Sequence, residues 1–564
     1  MPYRAPVSEM RFLLDHVVGA DRLAETALFA EATPDTRDAI LSEAAKLSDD
    51  VLAPTRRAGD LQPSVLENGV VRTAPEFAAA YRAIADGGWV GAAADPIYGG
   101  MGLPITFQTC IYEMMASANL ALSICPMLSQ GQIEALESHA SDEIKAVYLP
   151  KLVSGVWTGT MNLTEPQAGS DVGAVRTKAE PREDGTHAIT GAKIYISFGD
   201  HDLAENVCHL VLARLPNAPR GSKGISLFLV PKRIPDANGA PGVANRVRVV
   251  SLEHKMGLHG SPTCTMEFDA ATGWLIGAPH YGLAAMFTMM NNARLGVGVQ
   301  GISQAEAALQ AALAFAQERR QGRTPSGRGD SISGHADVRR MLMNMSALTA
   351  SARAIALDCA VSLDMAKATG DETWHARAAF LTPIAKAFGT DTGCAVADLA
   401  IQVHGGMGFI EEMGIAQYLR DVRVTTIYEG TNGIQAMDLV GRKLQDGGAA
   451  AFALLDEIAA SAERAERPLG SRLAEVHAAL RETTTWMLGA EAEDRYAGAA
   501  PYLRAFALAL GGHYLLKGAD VPGADPRWRA LAAYHIRQVL PETIGLCQQA
   551  RGGADALFAF EIAS

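Results

Sequence analysis

A multidomain α+β chain, helical toward both ends with one β domain between, is the fold class the sequence predicts, and three observations carry it. The chain has 564 residues, more than one hydrophobic core ordinarily holds. Apolar residues recur at helical spacing before about residue 150 and again after about 279, whereas the stretch from about 157 to 273 breaks into short strand-like runs. Helices, then strands, then helices in separate blocks describe stacked domains, not the alternating units of a doubly wound nucleotide-binding fold.

Residues 1–34 are read as an N-terminal extension and residues 35–156 as a helical domain. In the latter Ile40, Leu41, Ala44 and Leu47 share a helix face, and Pro54 is expected to end that segment. The loop from Asp95 to Pro104 is dense in Gly and Pro, separates that stretch from the next helix at Phe107 to Ala118, and could bear on a ligand. Residues 157–278 are read as the β domain, with strands at 193–197, 209–213, 224–230 and 265–268. Helical spacing returns over residues 279–445, interrupted by the Gly-rich run at 404–409. Residues 446–564 form an additional helical unit, where Ala453, Leu454, Ile458, Ala459 and Ala462 keep helical spacing and Pro468 and the 518–526 region mark breaks.

Composition narrows the function. A hydrophobic share of 48% with 20% charged residues suits a globular chain, and the many Ala residues favour helices. A net charge of −13 opposes phosphate backbones and anionic lipid, so neither nucleic acid nor membrane insertion is expected. The seven cysteines stand singly, the N-terminus lacks the pattern of a secretory signal, and no apolar run approaches a membrane span, which together predict a soluble cytoplasmic protein. His254 and His259 flank Lys255 without a ligand pattern to complete a metal site, so no metal is expected; His404 is read as a packing histidine. Residues 296–301, GVGVQG, match a dinucleotide-binding string but follow helix-like sequence, so their glycines are expected to let helices approach closely.

Residues 163–171, LTEPQAGSD, closely resemble the first signature of the acyl-CoA dehydrogenase family. Residues 402–409, QVHGGMGF, then Arg420-Asp421, then 427–435, IYEGTNGIQ, resemble its second signature and the segment carrying its catalytic base, in the family's order. Residues 255–261 and 318–323 look like further landmarks, so the resemblance covers roughly residues 35 to 445. It implies an N-terminal helical domain, a middle β domain and a C-terminal helical bundle, here followed by the additional helical domain. It also implies FAD and an acyl-CoA substrate.

The α protons of a thioester are weakly acidic, so such a site must stabilise enolate charge while a positioned base works at hydrogen-bonding reach. By resemblance Glu429 is that base and flavin N5 the hydride acceptor, with the thioester oxygen between the Glu429 N–H and a ribityl hydroxyl. Glu429 by itself is a carboxylate in a turn; its place after the second signature, between Tyr428 and Gly430-Thr431, is what singles it out. Some family members carry the base on an earlier helix just before an Arg matching Arg294, but here that position is Ala293.

The resemblance assigns Met161, Leu163, Thr164, Gly169 and Ser170 to a loop facing the flavin and its phosphates, Tyr195 and Ser197 to the flavin ring, and Thr431 to the cofactor. Tyr195 stands where the family has Trp. Arg319, with Arg320 or Arg323 as substitutes, is assigned to the FAD pyrophosphate across a dimer interface, and Gln402, Gly405 and Gly406 to the cofactor of the neighbouring subunit. Ser170, Arg294, Tyr428 and Gly430 are assigned to substrate, although an Arg at position 294 also reads as a snorkelled surface charge.

Residues 3–14, YRAPVSEMRFLL, and the additional C-terminal unit look like a bacterial branch that oxidises 3-methylmercaptopropionyl-CoA in dimethylsulfoniopropionate breakdown. The long C-terminal extension, by resemblance to family members that carry one, implies a homodimer, and the dehydrogenase resemblance implies electron-transfer flavoprotein as acceptor. Medium- or long-chain substrates and oxygen as acceptor, the acyl-CoA oxidase reading, stay open. A nucleic-acid-binding relative of the alkylation response would want a basic C-terminal face, which Glu457, Glu463, Glu466, Glu475, Glu482, Glu491, Glu493 and Asp494 oppose.

Overall fold

Thr33 starts the first long helix of the N-terminal domain. Its hydroxyl accepts from the Thr36 N–H at 3.2 Å, and Pro34 takes the first helical position, where a missing N–H costs nothing. The computed structural model describes residues 3–324, 327 and 329–562, and for residues 291–292 the backbone alone. Of the terminal segments read from sequence, residues 1–2 and 563–564 lie outside the described residues.

Pro54 does not end the first helical segment. After Pro34–Lys46 the chain continues through a π-helical turn, Leu47–Leu52, and a 3-10 turn, Ala53–Thr55, into Arg56–Leu61. Pro54 lies in the opening positions of the 3-10 turn, where its ring breaks no hydrogen bond. The domain is also not wholly helical: Val65–Glu67 pairs with Val70–Arg72 in a hairpin that turns at Asn68 and Gly69, both at positive φ. The next long helix runs Ile105–His139 and breaks at Asn119, φ −155° and ψ 91°. Asn119 restarts it as a cap, accepting from the Leu122 N–H at 3.1 Å and donating to the Thr55 hydroxyl at 2.8 Å.

The β domain is a seven-stranded sheet in the order Trp157–Asn162, Asn206–Ala213, Ser226–Pro231, Thr263–Ile276, His187–Ser197, Lys178–Pro181, with Val247–Leu252 also paired to Thr263–Ile276. The first pair is parallel and the others are antiparallel. Asn206–Ala213 and Ser226–Pro231 are buried along their whole length, which explains why they read as continuous apolar runs. Gly224 lies in a 3-10 turn before its strand, not in the strand.

Gly282–Glu318, Ala336–Thr369 and Glu372–His404 form the bundle. A Cβ on Gly298 would lie 2.6 Å from the Ala385 carbonyl oxygen, and one on Gly301 2.3 Å from that of Gly389. The GVGVQG glycines therefore let two helices pack at backbone distance. Ile105–His139 and Ala336–Thr369 are long and apolar enough to cross a membrane, contrary to the sequence reading; 94% and 89% of their most apolar windows are buried inside the protein.

The additional C-terminal unit consists of Ala449–Arg464, Leu469–Gly489, Ala499–Ala519, Pro526–Tyr534 and Glu542–Ala550, with shorter turns between. It is locked to the bundle: the Tyr514 hydroxyl donates to Asp358 at 2.5 Å, and Arg377 bridges Asp358 and Glu457 at 2.7 and 2.5 Å. The N-terminal extension reaches it as well, with Phe12 stacked 4.5 Å from Trp528. Arg420 and Asp421 tie the first three domains together. Arg420 makes two 2.7 Å hydrogen bonds to Asp60 of the N-terminal domain, and Asp421 accepts from the Leu258 N–H, past the β domain's Val247–Leu252 strand, at 2.6 Å.

Candidate active site

The segment that carries Glu429 is fixed on each side. Thr431 caps the helix Asn432–Asp438, its hydroxyl accepting from the Ile434 N–H at 3.2 Å. Before the cap, Glu429 sits at φ +55° and Gly430 at φ +85°. Left-handed backbone is costly for a non-glycine residue and persists only where the surroundings enforce it. Here Gln435 donates to the Glu429 carbonyl at 3.2 Å, Lys386 donates to the Gly430 carbonyl at 2.8 Å, and the Tyr428 hydroxyl donates to the buried Gln300. Gln300 in turn donates to the Tyr112 hydroxyl at 2.7 Å.

Glu429 is half-buried, and burial pushes its carboxyl up to about 7 against the opposing pull of Arg294 and Lys386. A carboxyl poised near neutrality can both take and hold a proton. Arg294 is not a snorkelled surface charge: it is only 7% exposed and lies 3.5 Å from Asp438, because the Asn432–Asp438 helix folds back over it. Beside it a cavity of about 550 Å³ runs between the N-terminal domain and the bundle, lined by Tyr112, Met127, Met289, Ala293 and Gly296 near the Tyr112–Gln300 bond. Ala94 and Ile105, flanking the 95–104 loop, line it too.

The loop residues assigned to the flavin form a second group. Burial would raise the Glu165 carboxyl, but the Lys193 ammonium at 2.8 Å, the Thr177 hydroxyl at 2.6 Å and the Arg176 N–H at 2.7 Å hold it at about 2. Lys193 also donates to the Leu163 carbonyl at 3.0 Å, and Ile194 to that of Thr164 at 2.9 Å. This pins Leu163 and Thr164 to the His187–Ser197 strand that carries Tyr195 and Ser197, while Met161 pairs with Leu210 on Asn206–Ala213 and Gly169 and Ser170 stay exposed. Lys193→Met would leave Glu165 buried without its cation, at a cost of about 3–5 kcal/mol. The expected result is a folded protein with a lower flavin-to-protein absorbance ratio and a reduced Tm; unchanged values of both would show that this loop holds no cofactor.

A third group lies at two helix ends. Phe315 stacks on His404 at 4.2 Å, which sets Arg319 at the end of Gly282–Glu318 near Gln402, Gly405 and Gly406 at the end of Glu372–His404. His404 is a packing residue, its Nδ1 against the Ala400 carbonyl at 2.7 Å. Arg319, Arg320 and Arg323 are exposed, as are Gln402, Gly405 and Gly406. Gly405 adopts φ +59° and ψ −138°, a conformation open to glycine alone, and a Cβ there or on Gly406 would meet nothing within 4 Å. His259 faces Asp60 at 2.9 Å, and Lys255 donates to the Ser261 carbonyl at 2.9 Å.

These groups fit FAD chemically. Tyr195 offers a ring that is 62% exposed beside a hydroxyl at Ser197, Thr164 and Ser170 add hydroxyls, and exposed guanidinium groups beside open glycine backbone suit a pyrophosphate. Within one chain no hydrogen bond or ion pair joins the Arg319 group to the loop group among the described residues. Sequence reasoning missed Lys386, Gln300 and Tyr112, since none lies in a family signature and each reaches the site from a helix face, and it gave Gln435, the last residue of the 427–435 run, no role.

Four family models match: acyl-CoA dehydrogenase N-terminal domain over residues 34–156, middle domain over 160–271, C-terminal domain over 280–444, and acetyl-CoA dehydrogenase C-terminal-like over 454–561. The chain is 44% identical over 519 residues to 3-methylmercaptopropionyl-CoA dehydrogenase of Ruegeria pomeroyi, covering 89% of this chain and 88% of that protein. It is 36% identical over 461 residues to the broad-specificity linear acyl-CoA dehydrogenase FadE5 of Mycobacterium tuberculosis, covering 78% and 75%. It shares its fold with ACDH-11 of Caenorhabditis elegans, solved in complex with C11-CoA, at a TM-score of 0.82, with 19% identity, 100% of this chain and 96% of that one covered.

Proposed function

This chain belongs to the acyl-CoA dehydrogenase family, and from that premise we propose that Glu429 is the base that removes the α proton of its substrate. The protein is an oxidoreductase that uses FAD to dehydrogenate an acyl-CoA thioester. The observation that carries the assignment is a half-buried carboxyl pushed up to about 7 on a backbone held at φ +55°.

FAD, when bound, supplies the acceptor for the β hydride. Everything else falls to the chain. Tyr195 and Ser197 hold the ring, Met161, Leu163, Thr164, Gly169, Ser170 and Thr431 hold the rest of the cofactor, and Ser170, Arg294, Tyr428 and Gly430 contact the substrate. Glu429 presents its N–H to the thioester oxygen and its carboxylate to the α carbon, and Arg294 and Lys386 favour the ionised carboxylate before the proton moves. Substrate entering the cleft displaces water from Glu429 and strengthens each of these interactions.

Arg319, Gln402, Gly405 and Gly406 serve the FAD of a second copy, so the working unit is a homodimer; the exposed Met407, Phe409, Ile410 and Met413 beside them supply apolar surface for the contact. Electron-transfer flavoprotein is the acceptor in this reading, and the seven unpaired cysteines fit a cytoplasmic site of action.

The substrate in this reading is 3-methylmercaptopropionyl-CoA, supported by the name of the Ruegeria pomeroyi relative. A longer straight-chain acyl group is the second reading, favoured by a cavity of about 550 Å³, within the range that takes a drug-sized ligand. Anaerobic mixing of the flavin-loaded protein with the thioether substrate and a graded series of straight-chain acyl-CoAs decides between them. Fastest bleaching by the thioether is the expected result, and straight chains that outrun it overturn the substrate assignment while leaving the reaction in place.

A further inference from the structure

Lys386 lies on Glu372–His404, has no exposed surface, and spends its ammonium on the turn that follows the base. It donates to the Gly430 carbonyl at 2.8 Å and to the Asn432 side-chain oxygen at 2.9 Å. Asn432 is held by the same helix, its amide donating to Asp391 at 2.7 Å and to the Thr390 hydroxyl at 3.0 Å. The 430–432 turn is thus stitched to one helix face, and Lys386 is the stitch nearest Glu429.

Two neutral hydrogen bonds could be made by an amide, and burying a charge to make them is expensive. The charge has another use. We infer that Lys386 is a positioning residue for the reaction: it fixes the peptide after Glu429 and, through its charge, keeps the Glu429 carboxylate ionised ahead of proton transfer. The inference rests on Glu429 being the base.

The charges around Glu429 agree with it. Arg294 approaches from Gly282–Glu318, but its charge is shared with Asp438, which also pairs with Arg442 at 2.5 Å. The Tyr428 and Tyr112 hydroxyls, tied up through Gln300, are neutral. Lys386 faces Glu429, Asp391 and Arg294; burial pushes its ammonium down to about 8, so it is mostly charged where Glu429, at about 7, is half ionised. Removing a cation that favours the carboxylate raises the Glu429 pKa, and the acid side of the pH profile moves to higher pH.

The test uses flavin-loaded full-length Lys386→Gln and Lys386→Met, with Glu429→Gln as control. In Lys386→Gln, which keeps a donor but no charge, the pH dependence of flavin reduction is expected to move upward by about one unit with its high-pH plateau nearly kept. In Lys386→Met the same displacement comes with a plateau about tenfold lower, since the turn is also released. An infrared titration of the Glu429 carboxyl, identified by its loss in Glu429→Gln, should show the same displacement without turnover. Folded variants with an unmoved profile overturn the inference, and loss of the fold in both assigns Lys386 to the fold alone and overturns it as well. Normal reduction by Glu429→Gln would sink the base assignment, a different failure.

Discussion

Glu429→Gln is expected to keep FAD and bind acyl-CoA while reducing its flavin at least about a thousandfold more slowly, the loss that follows removal of an essential base. The amide has the shape of the carboxylate and can occupy the same left-handed backbone, which Gln435 and Lys386 hold through the Glu429 and Gly430 carbonyls and not through the side chain. What it cannot do is accept the α proton. In the unmodified enzyme the free carboxyl, pushed up to about 7, must lose its proton before it can act, so the rate should rise as pH rises through that value. Stopped-flow reduction across pH checks both statements. Near-normal reduction by the Gln variant would remove Glu429 from the chemistry.

The base was legible in the sequence because the information is local and ordered: two signatures, then Tyr428-Glu429-Gly430 in one short run. What makes that Glu a base was not legible. Lys386 reaches the turn from 44 residues earlier, and Gln300 reaches Tyr428 from 128 residues earlier. Periodicity says which helix face is buried but not which polar residue on that face meets a turn from elsewhere. Arg294 shows the same gap, since its burial depends on Asp438 folding back over it.

At the level of the fold, the helical and β blocks were legible because long periodic segments report their own secondary structure. The Val65–Glu67 and Val70–Arg72 hairpin was passed over because strands of three residues are too short to show alternation, although the Asn68-Gly69 pair is a turn signal. Pro54 misled for a physical reason: proline is costly in a helix interior, yet fits the opening of a new turn without a break in the helical path. The last unit was read as a separate block, and Tyr514, Arg377 and Phe12 show that it is built into the bundle and the extension.

The strongest of those ties leads to a second large effect. Arg353, midway along Ala336–Thr369, has no exposed surface and gathers three carboxylates: Glu113 at 2.6 Å, Glu306 at 2.7 Å, and Glu9 of the extension, which also pairs with Arg527 of the last unit at 2.8 Å. The extension, the N-terminal domain and the bundle therefore meet at one guanidinium, the last unit joining through Glu9, and an Arg midway along an Ala-rich helix announces nothing of the kind. Burial already raises the Glu113 carboxyl, with Arg353 acting against it. In Arg353→Met that opposition is gone, and the expected loss is about 3–5 kcal/mol near neutral pH. The sign of its pH dependence follows: a carboxyl raised in the fold binds its proton more tightly there than in the unfolded chain, so acid favours the variant's folded state and the loss should shrink from about pH 8 to about pH 5. Adding Glu113→Gln and Glu306→Gln should recover most of the stability, because the two buried carboxyls are then neutral and Glu9, the third, keeps Arg527 as its partner. Urea unfolding of the three proteins at both pH values checks this, and a loss that neither acid nor the paired substitutions reduce would mean that Arg353 acts through packing and not through charge.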